Sequence, residues 1–136
     1  MTEPDCPFCA IARGEAPAWV VHETERAIAF FATGPAAPYH TLVVPRAHHA
    51  DLFSTPPEDW RAVAEAVKHV ADLFRQRLGI ENVELANHSG VEAQQGVFHL
   101  HVHVLPRHRG DGNDTFWPER TEVEDQFDAL LAALKG

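Results

Sequence analysis

Residues 98–105 read FHLHVHVL, a stretch in which histidine alternates with apolar side chains. A period of two is typical of a β-strand, because successive side chains of a strand point to opposite faces. We therefore expect a strand over Val97–Leu105 that presents His99, His101 and His103 on one face. Spaced about 7 Å apart along an extended strand, the three histidines would line a shallow pocket.

Three imidazoles on a rigid strand suit phosphoryl chemistry. A neutral ring nitrogen is a competent nucleophile, while protonated neighbours stabilise oxyanion charge and supply a proton. With an ordinary pKa of about 6.5, histidine can take both roles near neutral pH. From the pattern alone two other interpretations stay open, a metal-binding strand and an incidental exposed face in a chain with 10 histidines.

The segments around this stretch predict an α+β fold with a mainly antiparallel sheet. A polar turn, His22–Arg26, suggests a hairpin, and the loop Gly34–Pro38 separates that hairpin from the next strand. Strands are expected where β-branched and aromatic residues cluster between such turns, at Trp19–Val21, Ala27–Phe31, Thr41–Val44 and Val83–Ala86.

Two helices complete the predicted elements. The first begins at Thr55-Pro56-Pro57-Glu58, which has the spacing of a capping box, and ends at Gly79, which suits a left-handed C-cap. Its apolar residues recur on one stripe, formed by Trp60, Val63, Val67, Val70 and Phe74. A C-terminal helix is expected within about residues 119–135, from Thr121 to Lys135, with an apolar side formed by Val123, Phe127, Leu130, Leu131 and Leu134.

Length and charge limit the classes of partner. A chain of 136 residues fits one domain, 1–136, with a hydrophobic core. The net charge of -9 disfavours nucleic acid and acidic membrane surfaces as partners, although local donors can still hold a small anionic ligand. Residues 1–10 show no basic region followed by an apolar stretch, and no run approaches the roughly 18 apolar residues of a membrane span. We therefore expect a cytoplasmic protein that binds no membrane.

The two cysteines of the chain form one C-x-x-C motif, Cys6 to Cys9. In a reducing compartment this spacing suggests metal binding or redox chemistry more than a structural disulfide. A redox pair needs a preceding strand, and too few residues precede Cys6 to form one. Metal binding therefore stays open, beside the alternative that both thiols are small reduced residues packed near the sheet.

The segment His99–Leu105 matches the motif His-φ-His-φ-His-φ-φ, with φ apolar, and by this motif the sequence resembles the histidine triad family, in its nucleoside phosphoramidase-like branch. The segments Cys6–Ile11, Pro38–Arg46 and Pro106–Arg107 also resemble family segments in the right order, so that the resemblance covers most of a core at 6–112. It implies a fold with a five-stranded, mainly antiparallel sheet, one long helix and a C-terminal helix. It also implies a homodimer whose sheets join across the interface.

The resemblance further implies hydrolysis or transfer at the α-phosphate of a nucleotide. By position, His101 would attack phosphorus to form a nucleotidyl-histidine intermediate that water hydrolyses. His103 would contact the phosphate and the leaving group, and His99 would orient the nucleophile. Gln95 matches a glutamine near the scissile phosphate, and His40 matches a supporting histidine behind the triad.

Family analogy also suggests a nucleotide-binding pocket with Phe8, Ile28 or Phe30 as walls for the base. The residues that would hold the nucleoside depart from the family pattern. Where many relatives have Asp-x-Ser-Pro for the ribose hydroxyls, this chain has Ala-Thr-Gly-Pro at residues 32–35. We therefore expect relaxed or unusual nucleoside preference.

Two more departures lie in the loop before the triad. At the position where the family has an asparagine, this chain has His88, and Asn87 lies one residue earlier. Gly96 replaces a phosphate-contacting serine or threonine and leaves only its backbone N–H as a donor. The same intermediate would serve cleavage or phosphorolysis of dinucleoside polyphosphates, and the departures are also compatible with an inactive nucleotide-binding or interaction module.

Some family members that resemble this N-terminus bind a structural zinc. The corresponding ligands here would be Cys6, Cys9, His48 and His99, two thiolates and two imidazoles that suit tetrahedral zinc. His48 is a better match than the adjacent His49. No organic cofactor is implied. Arg46 and Arg107 follow prolines near the expected pocket and could contact phosphates, but surface ion pairs or free solvation are alternatives, and we leave both out of the site.

Overall fold

The computed structural model describes residues 3–136 and contains a five-stranded sheet with helices on both faces. In chain order the elements are α1 (Pro7–Ala12), β1 (Val20–Glu23), β2 (Ala27–Phe31), β3 (Thr41–Pro45), α2 (Pro57–Leu78), β4 (Val83–Ala86), β5 (Val102–Pro106) and α3 (Phe127–Lys135). The strand order is β1-β2-β3-β5-β4, with every neighbouring pair antiparallel. The predicted α+β fold is confirmed.

The alternation of side chains in β2 explains how the sheet is covered on both faces. Ala27 and Ala29 point to α2, and their small side chains allow this helix to pack close to the sheet. Ile28 and Phe30 point to the opposite face, where they pack in a second cluster with Phe8 of α1. The site described below lies on this second face, because His103 of β5 alternates with buried Val102 and Val104, which pack with α2.

Helix α2 ends as predicted and begins differently. Gly79 caps it in the left-handed conformation, with φ of 66°, and donates its N–H to the Arg75 carbonyl at 3.1 Å. The predicted capping box is wrong, because the helix has Pro56 as its N-cap and no side-chain capping bond. The Thr55 hydroxyl donates instead to the Asp51 carbonyl at 2.7 Å, within the preceding turn.

The predicted strand Val97–Leu105 is correct only in its second half, because β5 begins at Val102. Before that point the chain leaves the ladder. The Leu100 N–H donates to the carbonyl of His49 at 2.7 Å, in the segment after β3, and residues 97–101 have no strand assignment. His99 and His101 therefore precede the strand, and only His103 lies in it.

The C-terminal region also differs from the prediction. Thr121–Gln126 form a 3-10 helix, and the α-helix proper begins at Phe127. The predicted apolar side of this helix exists but stays uncovered, with Phe127 56% and Leu134 85% exposed. Within residues 3–136, no helix combines the length and the apolar character that a membrane span needs.

Candidate active site

His101 is a buried imidazole whose hydrogen bond defines its protonation state. Its Nδ1–H donates to the backbone carbonyl of His99 at 2.8 Å, because a carbonyl can only accept. Burial lowers the pKa of His101, which favours the neutral ring. In a neutral ring with the proton on Nδ1, Nε2 has a free lone pair, as a nucleophile requires.

A hydrogen bond from His40 determines the tautomer of His103. The Ala36 N–H donates to His40 Nδ1 at 3.0 Å, so that the proton of His40 is on Nε2. His40 Nε2–H then donates to His103 Nδ1 at 2.9 Å, and His103 therefore has its own proton on Nε2. Burial, reinforced by the neighbouring imidazoles of His101 and His40, lowers the pKa of His103 to about 4. At neutral pH His103 is a neutral hydrogen-bond donor.

A cavity of about 610 Å³ lies beside these rings, within the range of small-molecule sites. His101 and His103 both line it, and their ring centroids are 5.2 Å apart. The rest of the wall is mainly apolar, and it includes Phe8, Ile11, Trp19, Phe30, Phe31, Leu42 and Val97. Among residues 3–136 the lining includes no Asp, Glu, Lys or Arg. Such a cavity can accept a phosphorylated aromatic group, with its phosphate beside the histidines.

The structure places some of the predicted nucleotide-binding residues in this cavity and leaves others out. Phe8, Phe30, His88 and Gly96 line it. Ile28 is not among the lining residues and packs in the second core cluster, so its place in the wall of a base pocket stays a prediction.

Asn87 also lies outside the lining of the cavity, but its side chain contacts the backbone of the triad. Its side-chain Nδ2 donates to the carbonyl of His101 at 2.9 Å. Trp19, one of three tryptophans that the sequence offers for stacking on a base, is 71% exposed and lines the cavity. Its local sequence does not separate it from a core tryptophan, so the sequence does not assign it to the site.

Gln95 is buried, and its amide is fully engaged with the backbone. Its Oε1 accepts from the Gly90 N–H at 2.8 Å, and its Nε2 donates to the carbonyls of Ala50 at 2.6 Å and Val97 at 3.1 Å. The expected position at the phosphate is therefore not what the structure shows. Gln95 fixes the loop before the triad, and the adjacent Gln94 lines the cavity.

Behind the triad, Cys6, Cys9, His48 and His99 form a cluster. The Nδ1 of His99 lies 3.3 Å from Cys6 Sγ and 3.5 Å from Cys9 Sγ, and the Nδ1 of His48 lies 3.4 Å from Cys9 Sγ. The Nε2–H of His99 donates to the Pro45 carbonyl at 2.8 Å, which leaves the Nδ1 lone pair directed at the thiols. His99 thus belongs to this cluster and does not line the large cavity.

The geometry of the cluster fits zinc. Ligand atoms of a tetrahedral site with Zn–S of about 2.3 Å and Zn–N of about 2.0 Å lie about 3.3–3.8 Å apart, close to the observed separations. Helix α1, which sequence reasoning missed, positions the two thiols. Cys6 is its N-cap and accepts the Cys9 N–H on Sγ at 3.4 Å, so that both sulfurs face His99 from one helical turn. His49, the alternative ligand, is held away by Asp59, at 2.7 Å.

The two arginines left outside the site are both engaged in ion pairs. Arg46 contacts Glu23 at 2.9 Å and donates to the Thr24 carbonyl. Arg107 contacts the carboxylates of Glu84, Asp111 and Asp114. Neither lines the large cavity.

Comparisons with known proteins agree with this geometry. Residues 13–110 match the model of the HIT domain. The chain is 35% identical over 131 residues to an uncharacterized HIT-like protein of Methanocaldococcus jannaschii, with 96% of this chain and 99% of the relative covered. It is 32% identical over 107 residues to an adenylylsulfatase of Arabidopsis thaliana, with 79% of this chain and 54% of the relative covered.

A solved structure shares both the fold and the type of ion that the cluster fits. The zinc-bound histidine triad family protein of Mycobacterium smegmatis superimposes with a TM-score of 0.76 at 37% identity, with 96% of each chain covered. From the domain match and the full-length relative, the chain belongs to the HIT family, members of which act as nucleotide hydrolases or transferases.

Proposed function

We propose that this protein is a hydrolase or transferase that acts at the α-phosphate of a nucleoside phosphoramidate or a related nucleotide. The observation that carries the proposal is the hydrogen bond from His101 Nδ1–H to the His99 carbonyl at 2.8 Å, because it leaves Nε2 unprotonated on a ring that lines the large cavity. The relative from Arabidopsis thaliana, named an adenylylsulfatase, supports cleavage next to an adenylyl phosphate.

In the first step, His101 Nε2 attacks phosphorus and forms a P–N bond, while the P–N bond to the leaving amine breaks. The amine acquires one proton, which it takes from solvent. His103 Nε2–H donates a hydrogen bond to the departing nitrogen or to a phosphate oxygen, and its orientation depends on the bond from His40. Water then displaces His101 from phosphorus and yields a nucleoside monophosphate and a proton.

The large cavity supports the relaxed nucleoside preference expected from the sequence. Its wall near the predicted sugar position contains Ala32, Thr33 and Gly34, and so offers no carboxylate to pair with two ribose hydroxyls. Discrimination between a ribose and a sugar that lacks one hydroxyl depends on such polar partners. We therefore propose weak selection on the sugar.

A zinc ion bound by Cys6, Cys9, His48 and His99 would have a structural role, because four protein ligands leave no open position for a substrate or water. Two cysteines that hold a zinc ion must stay reduced, which is in keeping with the predicted cytoplasmic location.

We also propose that the protein is a homodimer. The uncovered apolar side of α3 supports this, since exposed contiguous apolar surfaces mark interaction sites in folded proteins. Small nucleotides, and not nucleic acid or membranes, are the proposed ligands.

The deciding experiment is a search for the covalent intermediate. Protein is mixed with adenosine 5′-phosphoramidate, quenched in denaturant within the first turnover, and analysed by intact and peptide mass spectrometry. We expect one adenylyl group on His101, and none in His101→Ala. His108→Ala, which changes an exposed histidine outside the large cavity, is the control and should form the adduct. Turnover of the phosphoramidate by His101→Ala at the wild-type rate would contradict the mechanism.

A further inference from the structure

The large cavity adjoins a second, smaller cavity of about 160 Å³ at the histidines. The two cavities share three imidazoles, those of His40, His88 and His103. The other walls of the small cavity are Glu84 and Ala86 of β4 and Leu105 of β5, and His101 lines only the large cavity of the two. In an in-line displacement the leaving group departs opposite the nucleophile. The small cavity is lined by His103, the proposed hydrogen-bond donor to the departing nitrogen, and not by the nucleophile His101.

One carboxylate, Glu84, lies in the described wall of the small cavity, and it belongs to an ion-pair group around Arg107 that has net negative charge. Glu84 Oε1 contacts the Arg107 guanidinium at 2.6 Å, but Asp111 and Asp114 contact the same guanidinium. Three carboxylates around one cation leave two negative charges uncompensated. Arg107 and two backbone N–H donors hold the pKa of Asp111 well below its usual range, so this carboxylate is ionised at neutral pH.

The charge distribution differs between the two sides of the reacting centre. The described lining of the large cavity contains no carboxylate, whereas Glu84 lies in the wall of the small one. A sulfate or polyphosphate leaving group would bring further negative charge next to this wall, and an ammonium group would be attracted to it.

We infer that the small cavity is the leaving-group subsite and that Glu84, with the carboxylates around Arg107, selects positively charged amines. The substrates would then be nucleoside phosphoramidates of cationic amines. This inference rests on the proposed function, and it assigns Glu84 as a residue that determines specificity for the leaving group.

The test uses three adenosine 5′-phosphoramidates that differ only in the charge at the end of a short amine: N-(3-aminopropyl), N-propyl and N-(2-carboxyethyl). We expect kcat/KM of the wild-type protein to be at least about tenfold higher for the aminopropyl than for the carboxyethyl compound, with the propyl compound between them. The preference should shrink as NaCl is raised, because salt screens partly exposed charges.

Glu84→Gln removes one charge from the wall and should reduce the preference to within about threefold, mainly by a higher kcat/KM for the carboxyethyl compound. Asp114→Asn removes a charge from the same group without changing the cavity wall, and should reduce the preference partly. Glu81→Gln is the matched control, since Glu81 is exposed and lies outside both cavities. Equal rates for the three compounds in the wild type, or an unchanged preference in Glu84→Gln, would overturn the inference.

A binding measurement separates this inference from the proposed function. Dissociation constants of the three compounds are measured by calorimetry with His101→Ala, which should bind without turnover. If His101→Ala binds the three compounds in the same order, and Glu84→Gln/His101→Ala does not, the subsite is supported. This holds even if the wild type hydrolyses none of the compounds, since the absence of hydrolysis would remove only the proposed function. Equal affinities would remove the subsite, whatever the rates.

Discussion

The histidines of the site differ in which nitrogen is engaged, and this difference assigns their chemistry. His101 binds a carbonyl through Nδ1, His99 binds a carbonyl through Nε2, and His103 accepts a hydrogen bond on Nδ1. As a result His101 presents a free lone pair, His99 directs a lone pair at the thiols, and His103 presents an N–H. Three residues of one type thus acquire three roles from their backbone and side-chain partners.

A pH dependence of stability follows from the lowered pKa of His103, which is about 4 in the folded protein against an ordinary value of about 6.5. As pH falls below 6.5, the unfolded chain binds a proton at this position before the folded protein does. Stability is therefore fully present above the unfolded pKa and is lost as pH falls from about 6.5 towards 4. Because the ring is partly exposed, we expect His103 to account for a loss of on the order of 1–2 kcal/mol.

Urea unfolding at a series of pH values measures this loss. His103→Gln should flatten the decline of the free energy of unfolding over the acidic range, whereas His108→Gln should follow the wild-type curve. Parallel curves for wild type and His103→Gln would show that the burial of this imidazole does not couple to folding.

The metal cluster allows a test that depends on two adjacent histidines. His48 faces Cys9, and His49 is bound to Asp59. Protein purified without chelator should contain about one equivalent of zinc by elemental analysis, His48→Gln should retain much less, and His49→Gln should retain it. The melting temperature of the wild type should fall on addition of a strong chelator, since bound metal stabilises the folded state. Equal zinc content in both variants would refute His48 as the ligand.

For single residues, the alternation of the histidines predicted that they lie close together, but it did not predict which other side chains line the cavity beside them. Ile28 and Phe30 are two residues apart in β2 and lie on the same face, so no local pattern separates them. Phe30 lines the cavity and Ile28 does not, although both are 3% exposed and both belong to the core cluster that contains Phe8 of α1. Their positions in the three-dimensional fold, which a local pattern does not encode, separate them.

Among the elements, the segment before β5 shows where periodicity misleads. The alternation of residues 97–105 is regular throughout, yet the strand begins at Val102, because the Leu100 N–H bonds to His49 outside the ladder. This break lets His99 reach the cysteines while His101 lines the large cavity. Strands β2, β3 and β4 were predicted to within about one residue, since their apolar runs end at turn residues.

Helix α2 offers a test of its predicted C-cap. Gly79 has φ of 66°, and a Cβ added there would meet no atom within 4 Å, so any cost of substitution comes from the backbone conformation alone. Gly79→Ala should lower the free energy of unfolding by about 1 kcal/mol. Gly79→Asn should cost less, because asparagine tolerates this conformation. Chemical denaturation measures both, and equal losses for the two variants would contradict a purely conformational cap.

For the whole molecule, one sheet separates two chemically different faces. Helix α2 buries the first face in a continuous core, while α1, the loops and β5 leave the second face open around the histidines. The sequence predicted the covering of the first face, because the apolar stripe of α2 has the helical period. It could not predict that α3 would lie uncovered, since an amphipathic stripe looks the same whether its own chain or a second copy packs against it.

We propose that the uncovered helix α3 contributes to the interface between two copies, in addition to the joined sheets that the family resemblance implies. Leu130 and Leu131 are 45% and 52% exposed in the single chain, and burying both in an interface would stabilise a dimer. Analytical ultracentrifugation should therefore find a dimer for the wild type at micromolar concentration. Leu130→Lys/Leu131→Lys should weaken the dimer about a hundredfold or more, because it removes two apolar anchors and places two like charges in the interface. Ala132→Lys adds a charge to the opposite side of the helix and should leave the dimer intact. A monomeric wild type, or a double variant that associates as the wild type does, would exclude α3 as the contact surface.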